Sequence, residues 1–399
     1  MNAPGLRAST PRVAVIGGSL GGLFAALALR RAGFPVEVYE RSTRPLHGRG
    51  AGLRMQADMV QRLREAQIEV AASTLAPSRF RFLGLHNEVT YEEETEIRYT
   101  SWSRLYDLLL EALGRDRYHL GMNAVGLTQH PTGATVRFGD SSSYDADVVV
   151  AADGLTSDVR QWLAPADVPR YAGYVCWRGI VDQRELSAGT LRLLSDAGVY
   201  VMPERGHMSI YPIPRQGAGC DYNVVWYRVV PASLLPDLLV DSRGEQRQWS
   251  VPAGAVKHAD IEALHAAATR ELPDAAAEVI RKIPQPFIQV IVDVESSRMV
   301  HGRVCWIADA AFGGRPHLGA GTAKAAADAW TLASALAAHP HAADHALAEW
   351  EAGRMALGRR YVQTNRDLGD SLVAGDISPQ EFTRRASWQK LLEAGDSRV

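Results

Sequence analysis

Four apolar residues fall among the six at positions 12–17, the pattern of a strand buried on both faces. Positions 20–29 then carry small and apolar residues and 30–31 two arginines, which predicts a helix over 20–32, and Gly33 suits its left-handed C-terminal cap. "PVEVYE" at 35–40 predicts a second strand, which completes a βαβ unit within roughly 30 residues. The pattern next predicts a helix at 55–66, strands near 80–85 and 88–93, and a helix at 105–113. "GATVRFGD" and "DADVVVAADG" predict two strands, the second almost unbroken in valine and alanine.

From Tyr171 the texture changes. "YAGYVCWRGIV", "GVYVMP", "HMSIYPIP" and "YNVVWYRVV" alternate, are rich in aromatics and are punctuated by proline and glycine. That is the signature of an antiparallel sheet. A helical pair at about 260–282 and the strand-like "FIQVIVDV" complete this stretch. "GRVCWIADAAFGG" then returns to a buried parallel strand ending in a loop, and long helices at about 320–338 and 341–370 close the chain. The expected fold class is α/β: a Rossmann-like dinucleotide-binding domain with an inserted antiparallel-sheet substrate domain and C-terminal helices. The expected boundaries are 1–169 (with a local strand insert near 78–100), 170–295 and 296–399.

Composition narrows the function classes. The 399 residues suffice for two sizeable lobes, and 46% apolar with 22% charged is ordinary globular protein. A net charge of -2 gives no support to a nucleic-acid partner. Cys176, Cys220 and Cys305 fit no zinc or redox spacing and read as reduced thiols. "MNAPGLRAST" has no apolar leader core, and the stretch "GAGTAKAAADAWTLASALAA" is broken by Lys324 and Asp328. The expectation is a cytoplasmic protein with no membrane partner. No HExxH, GxSxG or Walker A pattern occurs, and no metal-ligand set is read.

The chemistry lies in the turns. In "GGSLGG", Gly17 supplies the tight turn and Gly22 the close packing of helix on strand, while Leu20 opens the helix. Ser19 stands where the fingerprint has its middle glycine; its hydroxymethyl group either points aside or bonds a phosphate oxygen. Backbone amides at the helix N-terminus favour a pyrophosphate there in either case. Glu40 ends the second strand, placed to accept ribose hydroxyls, with Arg41 beside it. "ADGLTSDVR" carries Asp153, Gly154, Ser157 and Arg160 after another buried strand. "ADAAFGGRPHLGAGTAKAAADA" puts Asp309 at a third strand end, then Pro316, Gly319, Ala320 and Gly321 before a helix.

In order and spacing these three motifs resemble the single-component FAD monooxygenases of the para-hydroxybenzoate hydroxylase type, over nearly the whole chain. The resemblance implies that the first motif holds the ADP half of FAD and that Asp309 bonds the ribityl chain. It places Asp153 and Arg160 near the pyrophosphate, and aims the helix beginning near Gly319 at the flavin pyrimidine. It also implies NADH or NADPH as a transient electron donor, O2, a flavin C4a-hydroperoxide and a possible homodimer. No second dinucleotide fingerprint is present for the nicotinamide. "YVCWRG" and "GHMSIYPIP" look most like members that hydroxylate a dihydroxypyridine, so the implied substrate is a small hydroxylated aromatic or N-heteroaromatic ring. A larger polycyclic substrate, or a flavin reductase or oxidase, is the alternative. The chain departs from the family at Ser19, at Ala308 where glycine is usual, and at Trp102 where many members have a flavin-contacting arginine. Either Arg104 substitutes from the next turn or that contact is absent.

His207, Tyr211 and His317 are the candidate polar contacts to the substrate or a proton path, with a satisfied surface or core histidine as the alternative for His207. Trp177, Trp226 and Tyr227 read as core or sheet-face aromatics. Arg178 reads either as an ion-paired structural arginine or as a flavin or nicotinamide contact, and Arg315 as solvated.

Overall fold

In a computed structural model of the chain, residues 10–48, 51–215 and 219–396 are described. Most of the N-terminal decapeptide read above for a leader lies outside them. The fingerprint strand Val13–Ile16 is fully buried and sits at the centre of a six-stranded sheet. On one side it pairs in parallel with Val36–Glu40, which pairs in turn with Tyr118–Leu120. On the other it pairs in parallel with Val148–Ala151, then Val304–Trp306, and a short hairpin adds Val300–His301. The chain thus winds outward first to one side and then to the other. That makes the first strand the switch point, whose carboxyl end opens a crevice.

Helix Leu20–Arg31 has small residues on its packing face, and it lies against helix Gly321–Ala338 with Phe24 edge-on to Trp330 at 6.0 Å. Gly33 takes the expected left-handed φ of 90° just past its end. The long helix Ala343–Ala374 backs this layer, and two further short helices, Pro379–Arg385 and Trp388–Asp396, finish the chain.

The second sheet runs, in spatial order, Ser250–Val251, Phe287–Glu295, Arg170–Asp182, Cys220–Val229, His207–Pro214, Ala197–Val201, Arg79–Leu83 and Val89–Glu94. It is antiparallel except where Ala197–Val201 meets Arg79–Leu83 in parallel. The strands expected as a local insert in the first segment therefore complete the second sheet.

Side chains of a strand alternate between faces, and here the alternation decides the function of each face. Val175, Trp177, Met208, Ile210, Val224, Trp226 and Ile288 form one apolar layer under helices His258–Glu271 and Asp274–Arg281. Cys176, Arg178, His207, Ser209, Tyr211, Val225, Tyr227, Gln289 and Ile291 stand on the other face and line a groove. Trp177 and Trp226 are core, as expected; Tyr227 faces the groove. The three cysteines are unpaired, and among the described residues no helix is long and apolar enough to cross a membrane.

Candidate functional site

The strand ends converge. Gly17 and Asp153 follow, and Glu40 ends, three neighbouring strands of the parallel sheet, and Asp309 follows a fourth, a few residues past its end. They border two chambers of about 360 and 330 Å³ that share Ser19, Trp102, Ala152 and Gly154, and so form one continuous cleft.

The fingerprint turn has no room for side chains at its first and last glycines. A Cβ on Gly17, whose φ is 102°, would stand 2.5 Å from the Ala152 carbonyl oxygen. A Cβ on Gly22 would stand 1.8 Å from the Gly17 oxygen. Ser19 differs. It occupies the N-cap position with φ -76° and ψ -173°, ordinary extended values for any residue, and its hydroxyl makes no capping bond. The serine therefore costs no backbone strain, and Ser19 and Leu20 line the first chamber. The helix N-terminus keeps the orphan amides that attract a phosphate.

Glu40 is buried beside this turn. Its carboxylate accepts the Gly18 and Ser42 amides, each at 2.8 Å, which fixes it at the second chamber, where Arg41 also lies. Asp153 accepts the Val159 amide at 3.2 Å through one oxygen; the other is buried with no partner among the described residues. An orphaned carboxylate oxygen in a cleft is a site for a ligand donor such as a hydroxyl.

Two expected cofactor contacts are turned elsewhere. The buried guanidinium of Arg160 donates to the carbonyls of Leu155, Ala310 and Asp167 at 2.5, 2.5 and 3.0 Å, so it clasps three loops and lines neither chamber. Arg104 donates to the Arg215 carbonyl at 2.9 Å and also lines neither chamber. An arginine that does line the first chamber is Arg54, on strand Gly52–Met55, which the sequence pattern did not reveal. It packs against the last motif at Gly319, where a Cβ would stand 2.8 Å from the Arg54 Cδ and where φ is a left-handed 58°.

That last motif forms the far wall. Pro316–Leu318 make one tight turn, Gly319 reverses the chain, and Ala320 caps helix Gly321–Ala338 with its N-terminus on the first chamber. The preceding Ala308 adopts φ 54°, the left-handed region where glycine is at ease. A buried ion cluster holds it. Its N–H donates to Asp328 at 3.0 Å and its carbonyl accepts from Lys324 at 3.0 Å. Lys324 pairs with Asp328 at 2.8 Å, and Arg354 grips the same carboxylate. Asp309, the next residue, opens onto the chamber.

On the sheet side, His207 lies against Tyr227, ring centroids 4.4 Å apart, and 5.0 Å from the His317 ring. Burial pulls the His207 pKa down to about 3. Burial, then His207 and Arg315, hold His317 well below its ordinary value. Both imidazoles are neutral at pH 7. His317 Nε2 shares a hydrogen bond with the Tyr174 hydroxyl at 2.6 Å, and Nδ1 of each histidine has no partner among the described residues. The Tyr211 hydroxyl donates to the Gly52 carbonyl at 2.9 Å while its ring stacks on Tyr99, so it anchors the strand carrying Arg54. Arg315 is not solvated. It is 7% exposed and paired with Asp293 and Asp370, contacts that sequence spacing cannot foresee. Elsewhere, and lining neither chamber, His339, His345 and Glu349 bring ligand atoms within 4.8 Å of one another.

The comparisons with known proteins agree with this geometry. The FAD binding domain family matches residues 10–184, and the FAD binding domain-like family matches 171–293. The chain is 35% identical over 371 residues to the 2,6-dihydroxypyridine 3-monooxygenase of Paenarthrobacter nicotinovorans, covering 92% of this chain and 93% of that one. It is 27% identical to the 6-hydroxynicotinate 3-monooxygenase of Pseudomonas fluorescens, covering 90% and 91%. The solved structure of 2,6-dihydroxypyridine-3-hydroxylase from Arthrobacter nicotinovorans superimposes with a TM-score of 0.89 at 34% identity, over 93% and 95% of the two chains. With the glycine cradle, the orphaned Asp153 oxygen and two helix N-termini all suited to a dinucleotide, the cofactor is FAD, and the chain belongs to the FAD-dependent aromatic hydroxylases.

Proposed function

We propose that the protein uses NAD(P)H and O2 to hydroxylate a small, electron-rich ring that already carries hydroxyl groups, a pyridine diol before others. The balanced reaction converts a ring C–H, O2, NAD(P)H and a proton into C–OH, water and NAD(P)+. FAD, when bound, supplies the redox step and the reaction with oxygen. The observation that carries the substrate reading is the neutral His207–His317 pair where the sheet meets the flavin-side loop. A ring attacks an electrophilic oxygen faster as its hydroxyl gives up its proton. Burial makes these imidazoles weak bases, so their part is to accept the hydrogen bond of that hydroxyl at an unpartnered Nδ1 and hold it in place. In one tautomer His317 accepts at Nδ1 while its Nε2–H donates to Tyr174.

Size supports the same reading. The first chamber, at about 360 Å³, also borders the flavin-side loop, which leaves space for one small ring. Apolar walls from Val225, Ile291 and the tyrosines keep water from the reacting centre. Similarity to the dihydroxypyridine enzyme points to the same class.

The test is to incubate the FAD-loaded protein with NADH or NADPH, 18-oxygen gas and 2,6-dihydroxypyridine, and to weigh the product. Gain of one labelled oxygen atom is the expected result. Reductant consumption with peroxide as the sole oxygen product refutes the diol and directs the search to larger rings or to a reductase.

A further inference from the structure

We propose that Arg178 and Gln289 form a subsite for an anionic oxygen on the ring, on the sheet wall of the groove. The inference deepens the proposed function and rests on it for the identity of the ring.

Arg178 projects from strand Arg170–Asp182 on the groove face. Its one side-chain hydrogen bond among the described residues runs from Nη1 to the neutral Gln289 oxygen at 3.1 Å, and its buried Nε has no partner. No carboxylate stands within ion-pair reach of it among the described residues. Three other partly or fully buried arginines in or beside this sheet are treated differently. Arg215 is paired with Asp182, Arg228 with Glu271, and Arg315 with Asp293 and Asp370. A half-buried guanidinium normally has an acid beside it, because removing a charge from water without a counter-charge is costly. Here the described part of the protein supplies no counter-charge, and the guanidinium borders the groove.

Among the described residues one carboxylate lines that groove, Asp309, and it belongs to the opposite, flavin-side wall. Arg54, the other arginine of the lining, also has a buried Nε without a partner and lies over the Phe80 ring, as Arg178 lies over Phe287. It stands, however, on strand Gly52–Met55 against Gly319, away from the sheet wall. Arg178 is therefore the cation available to a ligand on the sheet side. The Gln289 carbonyl accepts from Nη1 and orients the guanidinium, and the Tyr211 and Tyr227 rings line the same groove. The chemistry that fits is a flat ring bearing an ionised hydroxyl or a carboxylate, its oxygen on Arg178. Such a contact both selects the ionised form and fixes which ring carbon faces the flavin.

The test titrates the FAD-loaded protein with 2,6-dihydroxypyridine, with benzoate and with its neutral isostere benzamide, followed by the flavin difference spectrum. Wild type should bind at least one of the two anions about tenfold or more tighter than benzamide; which one identifies the oxygen as hydroxyl-derived or carboxylate. Arg178→Met should weaken that anion about 30-fold, the loss expected for one charge-assisted hydrogen bond. Benzamide binding and the FAD content should not change, and Arg178→Lys should restore part of the loss. Equal anion binding by Arg178→Met and wild type overturns the proposal, as does a wild type that does not distinguish anion from benzamide. If Arg178 governs anion binding while no labelled oxygen enters the diol, the subsite stands and the hydroxylation of that ring falls.

Discussion

Asp328→Asn removes one negative charge from a place where three groups depend on it. Lys324 and Asp328 are each about 1% exposed, and Arg354 reaches the same carboxylate with only 11% of its side chain in water. The substitution keeps the shape but takes from the Lys324 ammonium its ion-pair partner, leaving the Ala308 carbonyl and the Phe312 and Tyr361 rings beside it. Breaking a buried pair by neutralising one partner costs about 3–5 kcal/mol, since the surviving charge remains desolvated. A chain of 399 residues has an unfolding entropy of about 0.8 kcal/mol per degree, so the expected fall in Tm is about 4–6 °C. The damage should also be local. Ala308 holds a left-handed φ that costs an alanine about 1–2 kcal/mol, and the Asp328 carboxylate accepting its N–H is one of the two contacts that keep it there. Release of that turn displaces Asp309, so FAD should dissociate more readily. The assay is thermal unfolding at one scan rate, followed by flavin fluorescence and by circular dichroism, together with FAD retained after gel filtration. Lys324→Met combined with Asp328→Leu and Arg354→Met, which removes all three charges of the cluster, should recover at least half of the loss. An Asp328→Asn protein that melts within about 1 °C of wild type and keeps its FAD refutes the reasoning, since the predicted shift is several times larger.

The remaining predictions concern pH and the turn. The folded His207 titrates near pH 3, whereas the unfolded residue titrates near its ordinary value of about 6.5. Between these values the unfolded chain binds the extra proton, so stability falls as pH drops through that window, by up to about 1.4 kcal/mol per unit. His207→Gln should therefore flatten the decline in urea midpoint between about pH 7 and pH 5; an unchanged slope refutes it. Asp328 runs the other way in cause: burial pushes its pKa up, and Lys324 and Arg354 pull it below the ordinary carboxylate value. Its contribution is complete above about pH 4 and disappears as pH falls through the lowered folded value. Gly22→Ala, whose Cβ would collide with the Gly17 oxygen, should yield protein without FAD, while Ser19→Gly should keep it. The ratio of flavin to protein absorbance decides both.

The three cofactor motifs were legible because their signals are local. A buried strand followed by glycine and an acid sets the turn within a few residues, and the structure brings Gly17, Glu40, Asp153 and Asp309 to one cleft. What escaped was set by partners distant in sequence. Arg160 looks like an anion contact until Ala310, 150 residues away, claims its Nη1. Arg315 looks solvated until Asp293 and Asp370 close round it. Strand Gly52–Met55 is too short to show a period and exists by pairing with Arg98–Ser101. Helix Pro379–Arg385 did leave a readable sign: Ser378 caps the Glu381 amide in a Ser-x-x-Glu box.

The strands Arg79–Leu83 and Val89–Glu94 extend a sheet whose other members mostly come a hundred or more residues later, and Phe312–Gly313 joins it from beyond. The lobe proposed above to meet the substrate is thus stitched from three separate stretches of chain. No short contiguous fragment contains it, so it cannot be excised, expressed alone or grafted as one cassette. A chimera that exchanges ring specificity with a relative must transplant 79–94 together with 170–295, or the new sheet will end in an unpaired edge at Ala197–Val201. The same stitching joins the two lobes at more than one point of the chain, and under the proposed function the loops around the cleft are the route for reductant, oxygen and ring.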